Sequence, residues 1–195
     1  MARLLAALLA VPALLAAASP ARADPQGTAG LTVGAAGVGV DRALWDATVF
    51  HLGLRGDVLF GRGANADFGV GPYAELLTHA FDEVQLGGGA SVLLPVLDSF
   101  PIILSGGLYG KLGDDGFGVE PGVAAALFWG SRSYNFHGSY VMSAGVLAEM
   151  RVGLGDSKET SVVLGAQLDL ALMSMPVVFL INAVKGGSPE AAPVR

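Results

Sequence analysis

Apolar residues alternate with small or polar ones in eight stretches of the chain, bounded by Gly, Asp, Asn and Ser. A period of two is the signature of a strand, whose successive side chains point to opposite faces. In residues 48–62, Phe50, Leu52, Leu54, Val58 and Phe60 share one parity, and His51, Gly53, Arg55, Asp57 and Gly61 share the other. Residues 68–81 set Phe68, Val70, Ala74 and Leu76 against Gly69, Gly71, Tyr73, Glu75 and His79. The same division recurs over 83–94, 100–112, 117–129, 136–152 and 161–170, and a less regular Gly-rich stretch at 28–40 adds an eighth strand. The connections at 61–67, 97–99, 113–116, 130–135 and 155–159 consist of turn-forming residues. Strands joined so tightly are antiparallel neighbours. The pattern predicts an all-β fold, an eight-stranded antiparallel up-and-down barrel in which the chain meanders from strand to strand.

Which face points outward decides the surroundings. A soluble barrel of lipocalin type turns its apolar face inward and needs an outer coat dense in Lys, Glu, Thr and Asn. Here the second face is mostly Gly, Ala and Ser with a few larger residues and sparse charges. That is a poor coat against water but a good filling for a narrow lumen. The apolar face carries no Asp, Glu, Lys or Arg in the middle of the seven clearly patterned strands, and a Lys or Arg at a bilayer midplane costs about 2–4 kcal/mol. The expectation is a transmembrane β-barrel with lipid outside. If the first strand starts on the periplasmic side, Phe60, Phe68, Phe100, Trp129 and Phe136 fall on the apolar face at one rim, as an interfacial aromatic girdle does. Phe50 and Phe117 mark the other rim.

The chain is 52% hydrophobic and 14% charged, with a mean hydropathy of +0.57. Part of that apolar excess lies at its start. Arg3, the apolar stretch 4–18 and the small-x-small sequence Ala21-Arg22-Ala23 have the form of a secretory signal peptide, residues 1–23, cleaved before Asp24. The apolar run is shorter than the roughly 20 residues of a spanning helix, and Pro12 interrupts it. Residues 24–187 are then one barrel domain and 188–195 a flexible tail. Without the leader, 9 basic groups face 17 acidic ones. This balance excludes a nucleic-acid partner, whose phosphates need a basic face. With no Cys, the chain has neither a disulfide framework nor a thiolate metal site.

On strand number, alternation, leader and aromatic girdle, the chain resembles the small eight-stranded outer-membrane barrels of the OmpA and OmpX transmembrane kind, from Thr28 to Gly187. The resemblance is architectural and implies export to a Gram-negative cell outer membrane. Many proteins of that class end on a strand closed by a terminal aromatic. This chain instead continues past Phe179 through Gly186 and Gly187 to a Pro-containing tail ending at Arg195. The apolar segment 173–184 is expected to prolong the eighth strand, with a short helix as the alternative. "FGVGPYAELL" from Phe68 echoes "FGVEPGVAAAL" from Phe117, a similarity that shared barrel geometry alone can produce.

The ionisable residues of inward parity are His51, Arg55, Asp57, Glu75, His79, Lys111, Glu120, Glu149, Arg151 and Asp169. In a narrow lumen such charges must be paired or hydrogen-bonded, so they are expected to form a polar network. Arg55 with a carboxylate of a neighbouring strand is the first pair. His137, Ser139 and Glu149 contain the groups of a nucleophilic relay and are similar to the His-x-Ser and Glu of outer-membrane lipid A deacylases. Here, however, Tyr140 follows the Ser where that family has Asn, and Glu149 lies ten residues on, over about 30 Å along a strand. The scattered His residues and the acidic turns at 114–115 and 156–159 lack metal-ligand spacing. No catalytic residue, cofactor or metal is expected. The residues point to a membrane-embedded, non-conducting scaffold in contact with outer-membrane lipid, with lipopolysaccharide or another envelope protein as partner and the loop at 41–47 around Trp45 as its main surface. Two alternatives stay open: a secreted lipocalin-like barrel with an apolar ligand, and a lipid A-modifying enzyme.

Overall fold

A computed structural model describes residues 25–97, 99–112, 119–132 and 139–184. The leader (1–23), the tail (188–195), the turn at 114–115, Phe117, Phe136 and His137 lie outside the described residues. Eight strands follow one another: β1 (Gln26–Gly39), β2 (Ala47–Leu59), β3 (Gly69–His79), β4 (Val84–Leu94), β5 (Ile102–Leu112), β6 (Val119–Arg132), β7 (Ser143–Gly153) and β8 (Thr160–Asp169). Each pairs antiparallel with the next, and β8 returns to β1 from Gly30↔Asp169 to Gly39↔Thr160. The barrel is closed, so no strand edge is left to pair with another chain.

The parity read from the sequence is the parity of burial. In β2, His51, Arg55, Asp57 and Leu59 are buried, while Phe50, Leu54 and Val58 face outward and are exposed. Across the strands, large and small inward residues share each level. One row of paired positions reads Arg55, Glu75, Gly87, Tyr109 and Gly122. Gly122 is required there, because a Cβ at that position would come within 2.2 Å of the Tyr109 ring. The apolar part of the core is Leu59, Leu93, Ile103, Ala126, Phe128 and Leu147. Leu93, Ile103, Phe128 and Leu147 form a single row from β4 to β7.

Three expectations are corrected. First, the segment expected to prolong the eighth strand is a helix, α1 (Leu170–Val184). β7 begins at Ser143, one residue before Ala144, the partner of Leu168, so beyond Asp169 there is no β7 backbone left to pair with. A chain leaving the ladder must satisfy its own amides, which a helix does. The Asp169 carboxylate caps it, accepting a hydrogen bond from the Ala171 amide at 2.7 Å. The helix is shorter than a membrane span and, Ser174 and Asn182 apart, apolar around its circumference.

Second, the seventh strand starts at Ser143 rather than near Phe136. Residues 139–141 instead run beside the first residues of β1, with Gly27 N–H donating to Ser139 O at 2.7 Å and Val141 N–H donating to Gly27 O at 2.8 Å. This segment flanks the end of the barrel where β1 begins, here called the starting end. Third, β6 extends to Arg132, within the stretch 130–135 whose turn-forming residues predict a connection.

The candidate functional site: a polar lumen

Three groups of polar side chains fill the barrel interior. At mid-height Arg55 Nη1 donates to Glu75 Oε2 at 3.1 Å, the pair expected between adjacent strands. Arg151 enters from β7, contacts the other Glu75 oxygen, donates to Gln85 Oε1 at 2.9 Å and lies 2.7 Å from Glu149 through Nε. The two guanidinium groups also cover aromatic faces, Arg55 at 3.9 Å from the Tyr73 centroid and Arg151 at 4.7 Å from that of Tyr109. Two cations thus answer two carboxylates, and the flat guanidinium faces not used for hydrogen bonds rest on ring faces.

At the starting end Arg132 grips Asp57 with both Nη atoms. Arg62 donates to Gln26 Oε1 at 3.0 Å and to the Asn65 carbonyl at 3.3 Å. Asp169 accepts from Thr28 at 3.2 Å and from the Tyr140 hydroxyl at 2.9 Å, tying β8, β1 and the 139–141 segment together. Burial and the Asp169 carboxylate raise the Tyr140 pKa above its usual 10.

At the opposite end His51 and His79 stand with ring centroids 5.3 Å apart. His79 Nδ1 lies 3.0 Å from Glu83 Oε1, and Lys111 Nζ joins Glu83 at 2.6 Å and Glu159 more closely still. Burial opposes the charge on Glu83, but contacts from His79, Lys111 and Gln85 outweigh it and hold its pKa down at about 2. Glu120 is half-buried and accepts from the Ser157 hydroxyl at 2.5 Å.

All ten inward ionisable residues named from the sequence therefore lie on the lumen side, eight of them buried and Lys111 and Glu120 half-buried at the opposite end. The structure adds partners beyond those ten: Glu83 and Gln85, which share the inward parity of the 83–94 stretch, and Arg62, Arg132 and Glu159, which parity alone did not name. Extending the β6 alternation by three residues identifies Arg132, whereas Glu159 reaches the lumen from a loop and leaves no periodic signal. The void beside His51, Arg55, Glu75 and Glu149 is about 10 Å³, the size of a single water probe. Ser139 is exposed beside the starting end, and Glu149 is engaged inside the lumen by Arg151, so these two members of the relay do not converge.

On the outer wall Phe60, Phe68, Phe100 and Trp129 are exposed at the starting end, where the girdle was expected. Phe50 is exposed near the other end and stacks on Phe81 at 5.7 Å. Trp45 lies against Gly37 so closely that a Cβ there would fall 2.2 Å from the indole, and its Nε1–H donates to Thr48 at 3.0 Å. No protein-family model matches the chain, and neither does any curated protein or solved structure.

Proposed function

We propose that the chain is an integral outer-membrane barrel, exported by its leader, with lipid against its outer wall and a filled, non-conducting lumen. Its role is that of a structural or interaction scaffold in the envelope, with no catalytic activity. The observation that carries this reading is the chemistry of the outer face. No Asp, Glu, Lys, Arg or His occupies an outward position in any of the eight strands. Leu86, Leu104, Leu108, Val146 and Leu164 stand exposed around the wall. A monomer in water rarely leaves so continuous an apolar belt bare, whereas a bilayer demands it. The paired side chains of the mid-lumen support the absence of conduction, since the void beside His51, Arg55, Glu75 and Glu149 holds only about 10 Å³. At mid-lumen the same void is far below the roughly 300–1,000 Å³ of a small-molecule pocket, and the larger hollow, about 470 Å³, is an open one between Gly27, Val58, Pro72, Ala74 and Tyr140 near the starting end.

Fractionation of cells expressing the full chain, followed by electrophoresis in SDS with and without boiling, tests the reading. The protein is expected in the outer membrane, with a band that changes mobility on heating. Recovery in the soluble periplasm with no mobility change would overturn it and favour the soluble barrel.

A further inference from the structure

We propose that His79, Glu83 and Glu159, at the lumen mouth opposite the starting end, form a binding site for a divalent first-row transition metal, with Zn²⁺ the best fit. The donor atoms of these three side chains lie within 4.8 Å of one another. They come from three separate parts of the chain: the end of β3, the turn between β3 and β4, and the loop before β8. Sequence spacing therefore does not reveal them. One imidazole with two carboxylates suits zinc, and three protein ligands leave a position for water, as in open zinc sites.

The histidine provides an independent observation. His79 is only 3% exposed; among the described residues its Nε2 has no hydrogen-bond partner and its Nδ1 has none in good alignment, the nearest partner atom being Glu83 Oε1 at 3.0 Å. A buried ring nitrogen without a hydrogen bond is costly, and a metal on Nδ1 would remove that cost at Nδ1. Without a metal, the Lys111 ammonium supplies the positive charge between Glu83 and Glu159. Lys111 is directly paired across the strands with Glu120, which faces the same side. An ammonium displaced by the metal therefore has a third carboxylate close by. Lys111 then acts as the site's competitor, and removing it should strengthen binding. The site uses only lumen and loop residues, so it stands or falls separately from the lipid contact of the outer wall.

The test uses the full-length folded protein without a His tag, stripped with chelator and titrated with Zn²⁺ against a chromophoric indicator. Wild-type protein is expected to bind one equivalent, Lys111→Met to bind at least tenfold more tightly, and His79→Phe at least tenfold more weakly. His137→Phe, which removes a histidine that is not one of the three ligands, should match wild type. The heat-dependent mobility of each variant checks its fold. If Lys111→Met does not fold, Cu²⁺ bound to wild-type protein should show nitrogen hyperfine structure that His79→Phe removes. Failure of both wild type and Lys111→Met to retain zinc, or binding indifferent to His79→Phe, would overturn the proposal. In that case the cluster is an ion-pair network only.

Discussion

Arg151 is the side chain on which the mid-lumen network converges: Glu75, Glu149, Gln85 and the Tyr109 ring all contact it. Removing one partner of a buried ion pair leaves an uncompensated charge and costs about 3–5 kcal/mol. Arg151→Met should therefore lower stability by about that amount in urea unfolding of the folded protein. Adding Glu149→Gln should restore part of the loss, because Glu75 keeps its direct ion pair with Arg55, whereas among the described residues Glu149 makes its direct ion pair with Arg151 alone. Tyr140 carries a pH dependence of its own. Its pKa is raised in the folded state, so the folded chain holds that proton more tightly than the unfolded one. The stability it contributes is complete below pH 10, the unfolded value, and is lost as the pH rises through the folded one. Tyr140→Phe should cost about 1 kcal/mol at neutral pH and flatten the alkaline decline, as measured by urea midpoints from pH 8 upward.

At the scale of elements, period-two alternation disclosed the strands because each divides its residues between two faces of opposite chemistry. Their ends were less legible. Alternation shows which way a residue points but not whether a partner strand is still alongside, and that is what ends β8 at Asp169 and delays β7 to Ser143. The apolar run that follows had no alternation to arbitrate between strand and helix. The Asp169 carboxylate and the lack of a pairing partner decide for α1. The turn at Ala80 and Phe81 was also hidden, because both residues adopt positive φ (52° and 67°) without being Gly. Stacking of Phe81 on Phe50 holds the strained turn in place. Within the lumen, the fit between β5 and β6 rests on Gly122 beneath Tyr109. Gly122→Val should destabilise by about 1–3 kcal/mol through overpacking. In a Tyr109→Ala background the same change should cost markedly less, a coupling that a double-mutant cycle in urea reads directly.

For the whole molecule, the barrel is inverted relative to a water-soluble protein. The charged side chains of its strands point inside, most of them paired, and the outward face of its strands carries none. That inversion was legible in the sequence because the parity carrying His51, Arg55, Glu75 and Arg151 is also the parity of Gly and Ser, the small residues a narrow lumen needs. The loop residues that complete the network, such as Glu159, follow no period and were visible only in three dimensions.

The central claim, lipid against the outer wall, is tested most directly on β5. The chain has no Cys, so a nitroxide can be placed singly at Ile102, Ile103, Leu104, Ser105, Gly106, Gly107 and Leu108 in protein refolded into vesicles. Collision with oxygen, which concentrates in the bilayer, should peak at 102, 104, 106 and 108 and fall between them, while a water-soluble nickel chelate should reach none of the four. Chelate access at those even positions, or a barrel that stays in the aqueous phase, would contradict the account.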